Sequence, residues 1–93
     1  MTEFEGFEAL LIRKRRDKME VIGDILKVAD NPFGAKKTQL VYQSNLNFDR
    51  LTGFLSYLME KDLIEKNGED NLYMTTPKGR DFLKQIEKLD NML

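Results

Sequence analysis

Bases and amides, rather than nucleophiles, carry the chemical potential of this 93-residue chain, which contains no histidine and no cysteine. Ser44 and Ser56 have no plausible partner base, so acid–base catalysis would rest on scattered surface carboxylates. No enzyme activity is expected. A metal site is not expected without His or Cys, no segment has the spacing of a calcium loop or a glycine-rich phosphate loop, and no cofactor is implied. The carboxylates of "GEDN" at 68–71 read as a solvated turn. The stretch "TQLVYQSNLNFDRLTGFLSYL", 38–58, is more informative. It offers Thr38, Asn47, Arg50, Thr52, Ser56 and Tyr57, and Lys36 and Lys37 stand just before it. Arginine can pair bidentately with guanine and asparagine with adenine, while lysines and helix-start amides hold phosphates.

Composition sets the frame for that chemistry. The formal net charge is −1, yet residues 1–12 carry Glu3, Glu5 and Glu8 and no base. From Arg13 onward 15 positive residues face 13 negative ones. The bases cluster at "RKRRDK" (13–18), at Lys36–Lys37, and at Lys78, Arg80, Lys84 and Lys88. A charge run is ordinarily a solvated face, but such patches also bind phosphate when total charge is near zero. Hydrophobic residues make up 41% and charged residues 33%, a globular and not a disordered profile. A chain this long buries roughly 60–65% of its unfolded surface, enough for one core. Ala9–Ile12 is the longest apolar run, far short of the ~20 residues of a membrane helix. The start lacks a signal-peptide pattern, and a cytoplasmic, nucleoid-associated protein is expected.

The elements that must position these residues follow from spacing. Met19, Ile22, Leu26 and Ala29, widened by Ile25, predict a helix over 16–30, stopped by "DNP" at 30–32. Before it, Thr2 and Glu5 have capping-box spacing. "FGAKK" is a connector with room for one edge-strand contact. A second helix is expected over 36–44 with Leu40 and Val41 inward, then a turn at 44–47. The third helix, 48–61, buries Leu51, Phe54, Leu55 and Leu58. Gly53 in its interior costs about 1 kcal/mol against alanine, which close approach of another backbone would explain. Tyr42 and Tyr57 are expected to be half-buried packing residues. Residues 63–75 form a hairpin turning at Asn67–Gly68, and Thr76–Pro77 opens the last helix. Phe82, Ile86, Leu89 and Leu93 follow at coiled-coil spacing.

Three helices, a two-stranded wing and a final helix make an α+β, mainly α, winged helix-turn-helix. At the level of residues, "GAKKTQLVYQSNLNFDRLTGFLSYLMEKDLIEK" (34–66) and "LYMTTPKGRDFL" (72–83) resemble archaeal winged-helix proteins, a family that includes small chromosomal proteins of about ten kilodaltons. The resemblance covers about 15–89, most distinctively at 35–46, 51–64 and 75–80. It implies a DNA-binding homodimer, a transcriptional regulator or chromosomal protein. The better-known members pair a long last helix as an antiparallel coiled coil. Here Pro77–Leu93 reaches only roughly 25 Å at 1.5 Å per residue.

The expected organisation is an acidic arm at 1–12, a winged domain at 13–76 and a dimerisation helix at 77–93. Double-stranded DNA is the expected partner, with the third helix in the major groove. Asn47, Arg50, Thr52, Ser56 and Tyr57 would meet the groove. Lys36, Lys37 and Thr38 would hold phosphate, joined by Arg13, Lys14, Arg15 and Arg16. Lys66, Asn67 and Asn71 would reach from the wing, and Phe82, Ile86, Leu89 and Leu93, with the arm beside them, would form the dimer contact. The rival is a winged helix that binds a partner protein and makes no direct DNA contact. It is favoured by the weakly charged third helix, the acidic wing tip (Glu69, Asp70) and the acidic arm.

Overall fold

The computed structural model describes residues 18–92. Expectations for Thr2, Glu5, Arg13, Lys14, Arg15, Arg16, Leu93 and the acidic arm lie outside the described residues. Helix α1 covers 18–29 of the described range. It is followed by α2 (Lys37–Ser44), α3 (Phe48–Glu60), β1 (Ile64–Asn67), β2 (Leu72–Thr75) and α4 (Pro77–Met92). This is the expected winged helix-turn-helix order.

Each boundary has a local cause. Pro32 keeps Asn31 out of the helical region, and the Asn31 side chain takes over the end of α1. Its amide donates to the Val28 carbonyl (2.8 Å) and its oxygen accepts from the Phe33 N–H (2.9 Å). Gly34 then swings the chain with φ +73°, and a Cβ there would stand 3.0 Å from the Met74 side chain and the Tyr73 carbonyl. The turn delivers Ala35 to β2, where Ala35 and Tyr73 exchange two backbone hydrogen bonds of 2.8 Å. That is the expected edge contact, and it makes the wing briefly three-stranded.

Helix α2 ends on Asn45 in the left-handed region (φ 56°), its N–H returning to Val41 O. Helix α3 ends in a Schellman arrangement. Asp62 (φ 60°) donates to Met59 O at 3.1 Å and Leu63 donates to Leu58 O at 2.8 Å. The hairpin is antiparallel, Ile64 opposite Thr75 and Asn67 opposite Leu72. Its loop is the four residues 68–71 instead of a tight Asn67–Gly68 turn, because Glu69 and Asp70 are poor strand formers. Asn67 Oδ1 accepts from the Glu69 N–H, and Asn71 in the left-handed region donates its N–H to Asn67 O.

Helix α4 starts in a tight knot. Thr76 Oγ1 accepts from the Gly79 N–H (2.9 Å) and donates to Asp62 O (2.6 Å). The Thr76 N–H donates to Leu63 O (3.1 Å). A Cβ on Gly79 would lie 2.0 Å from that same Leu63 oxygen, so only glycine fits. Thr75 Oγ1 ties the wing to α1 by donating to Leu26 O (2.6 Å).

The core joins Ile22, Ile25, Leu26 and Ala29 of α1 to Leu40, to Leu51, Leu55 and Leu58 of α3, to Leu63, Ile64 and Tyr73 of the wing, and to Leu83 and Ile86 of α4. Helices α1 and α4 lie side by side in opposite directions. Asp30 meets Arg80 (3.0 Å), while Leu83 and Ile86 face Gly23. Three expectations change here. Ile86 is only 5% exposed and belongs to the chain's own core, so it is not free for a dimer seam. The reason is that α4 turns the line Gly79–Leu83–Ile86 inward, to Leu63 and to α1. Phe82 is half-buried against the core and Leu89 is 55% exposed. Met19 is 40% exposed, lying a turn beyond the buried line of α1. Tyr57, 49% exposed on the outer side of α3, is half-buried as expected, whereas Tyr42 is 85% exposed, because it points away from the inward line of Leu40 and Ser44.

Candidate nucleic-acid interface

The exposed residues of α2 and α3 meet where the two helices begin. Lys36 is the N-cap of α2, with extended backbone (φ −79°, ψ 152°) and no side-chain cap hydrogen bond. No acidic residue occupies the first turn. A lysine side chain has no acceptor, so the first amides of α2 are left to water or to an anion. Lys37 Nζ lies 5.5 Å from the centre of the Phe48 ring, a cation–π approach. Phe48 is the first residue of α3, so this contact brings Lys37, flanked in the chain by Lys36 and Thr38, to the N-terminal end of the third helix.

That end is capped, in contrast to α2. Asn47 Oδ1 accepts from the Arg50 N–H at 2.8 Å. The cap occupies one lone pair of that oxygen and fixes the carboxamide against the helix start, away from the orientation a bidentate adenine contact needs. The Thr52 hydroxyl is also engaged, donating to Phe48 O at 2.7 Å. Asp49, Arg50, Gly53, Ser56, Tyr57 and Glu60 are all exposed, opposite buried Leu51, Leu55 and Leu58. Nothing within the described chain comes within 4 Å of a Cβ placed on Gly53, so close approach by the chain's own backbone does not explain it.

The wing residues form a separate group. Lys66 lies over the buried Tyr73 ring (5.7 Å to its centre), and Asn67 and Asn71 shape the loop by their own hydrogen bonds. Their remaining polar atoms face solvent at the hairpin tip. Lys61 was not among the expected contacts, yet its Nζ sits 5.8 Å from the Tyr57 ring centre. The four-residue spacing of Tyr57 and Lys61 was the available signal. At the helix-turn-helix corner Val41, Tyr42, Asn45, Leu46 and Asn47 line a shallow open groove. Among the described residues no group of three or more acidic or metal-ligating side chains converges on a metal position, and no helix is long and apolar enough to cross a membrane.

The winged helix-turn-helix family model matches residues 15–93. The chain belongs to the winged helix-turn-helix family. An uncharacterized protein of Methanocaldococcus jannaschii is 34% identical over 79 residues, which are 85% of this chain and 36% of that relative. The chain thus spans about a third of the relative's length. The crystal structure of Sso10a-2, a DNA-binding protein from Sulfolobus solfataricus, superposes with a TM-score of 0.68. It shares 23% identity and covers 80% of this chain and 78% of its own, a likeness of fold. Both relatives are archaeal, in keeping with the family resemblance in the sequence.

Proposed function

We propose that this chain binds duplex DNA, with α3 in the major groove, α2 resting its first turn on the phosphate backbone, and two copies joined through α4. The observation that carries the reading is the approach of Lys37 to Phe48. It sets a basic, uncapped helix start beside the end of α3 that a helix-turn-helix presents to base edges. The likeness to Sso10a-2, itself a DNA-binding protein, supports it. Affinity comes mainly from Lys36 and Lys37, from the wing and from the 13–16 cluster, and two-fold symmetry doubles each of these. The dimer contact is formed by Phe82, Leu89 and Leu93, with the acidic arm beside them. The role is that of a transcriptional regulator or chromosomal protein in the cytoplasm, associated with the nucleoid.

Titration of the full chain on generic duplex DNA at about 50 and 200 mM salt tests the reading, since phosphate contacts release counterions. Binding at the lower salt that falls steeply at the higher is expected, and no binding at the lower salt defeats it. Replacing Lys36 and Lys37 by alanine lowers the salt slope by roughly two units. An unchanged slope takes both lysines out of the interface. A monomeric mass by light scattering removes the dimer.

The second reading, a protein-binding winged helix without DNA contact, is favoured by the groove of Val41, Tyr42 and Leu46 and by Asp49 and Glu60 on the exposed side of α3. The same titration separates the two.

A further inference from the structure

The hydrogen-bonding groups that remain free at the start of α3 suit G·C pairs and not A·T pairs. We propose that Asp49 and Arg50 are the specificity-determining pair of this helix, Arg50 reading guanine and Asp49 reading the amino group of cytosine. The inference rests on the DNA-binding reading above and adds to it the class of sequence preferred.

An α-helix turns by about 100° per residue. Asp49, Gly53, Ser56 and Glu60 therefore recur along the ridge opposite Leu51, Leu55 and Leu58, with Arg50, Tyr57 and Lys61 on one flank. A major groove shows an acceptor next to a donor at adenine, two acceptors at guanine and a single donor at cytosine. Reading adenine bidentately needs a side chain that both accepts and donates. Asn47 is the amide at the N-cap of the helix, and its oxygen is turned onto the Arg50 N–H, which holds the carboxamide against the helix start and not in the plane of a base edge. Thr52 has given its proton to Phe48 O and keeps only lone pairs. Arg50 offers donors alone and Asp49 acceptors alone, and among the described residues neither side chain forms an ion pair or a side-chain hydrogen bond. Donors alone match guanine and acceptors alone match cytosine.

The ridge geometry lets a short aspartate reach. Gly53 carries no side chain and has open space in front of it, and Ser56 is the next residue along the ridge. These small residues allow the helix to sit deep enough for Asp49 to meet a base edge. Away from a cytosine, the same carboxylate faces phosphates and acceptor edges and opposes binding. Asp49 thus favours one class of site and weakens the others.

The test compares the full chain with Asp49→Asn, Asp49→Glu and Arg50→Ala on two duplexes of equal length, one G·C-rich and one A·T-rich, at about 50 mM salt. Thermal melts confirm that each variant folds, and the cap survives in all of them because it belongs to Asn47. The wild type is expected to prefer the G·C-rich duplex by about ten-fold, the order of one good base contact. Asp49→Asn gains on the A·T-rich duplex and erases the preference, Asp49→Glu keeps it, and Arg50→Ala loses affinity on the G·C-rich duplex selectively. Equal wild-type binding to both duplexes overturns the inference and leaves the DNA reading standing. So does an equal gain by Asp49→Asn on both, which makes Asp49 a charge and not a reader. Binding to neither duplex defeats the DNA reading itself.

Discussion

Two helix starts in this molecule solve one physical problem in opposite ways. Every α-helix begins with amides that lack an intrahelical acceptor. At α4 the chain supplies its own solution: Thr76 caps Gly79, Pro77 removes one donor, and Thr76 is itself held by Asp62 O and Leu63 O. Thr76 and Gly79 are buried. At α2 the cap position is an exposed lysine with no acceptor, followed by a second lysine and a threonine. Asn47 and Thr76 show that caps are available in this chain, so α2 forgoes about 1 kcal/mol of capping. The closed start holds the fold together. The open start leaves its first amides to water or, on the DNA-binding reading proposed above, to a phosphate.

Substitutions can sharpen that contrast. The largest effect is expected at Gly79→Ala. The new methyl group collides with the Leu63 carbonyl, and overpacking against backbone costs about 3 kcal/mol. Urea or thermal unfolding reads the loss, and in a chain this small the midpoint falls by more than 10 °C, at roughly 4–8 °C per kcal/mol. Thr76→Ala removes the cap and leaves the Asp62 carbonyl without its donor, for about 2 kcal/mol by the same measurement. The smallest effect has the opposite sign. Lys36→Asp gives α2 the cap acceptor it lacks and stabilises the fold by about 1 kcal/mol, while DNA binding weakens. A variant that gained stability and kept full affinity would show that the open helix start takes no part in binding.

Much of the fold was legible from single residues. Pro32 stops α1, Thr76–Pro77 opens α4, and the stripe Leu51–Leu55–Leu58 places α3. What spacing does not disclose is which neighbour an apolar line meets. The run Phe82–Ile86–Leu89 has coiled-coil spacing, yet the close fit of Gly79 on Leu63 turns the helix so that Ile86 enters the core. Exposure of Tyr42 was hidden for a related reason, since an eight-residue helix with two buried residues has a narrow inner face. At the candidate site the residue types were legible and their commitments were not. Asn47 is legible as an amide that could meet a base, but that its oxygen also caps the helix is visible only in the structure.

The junction of Asp62, Leu63, Thr76 and Gly79 has a mechanical consequence. The end of α3, the first residue before β1 and the start of α4 are pinned to one another within a few ångströms, by Leu63 N–H on Leu58 O, Thr76 N–H on Leu63 O and the Thr76 hydroxyl on Asp62 O. No slack loop separates the two helices at that point. A ligand that tilts the end of α3 is therefore expected to carry the start of α4 with it, a coupling that would be read as a change in α4 on binding.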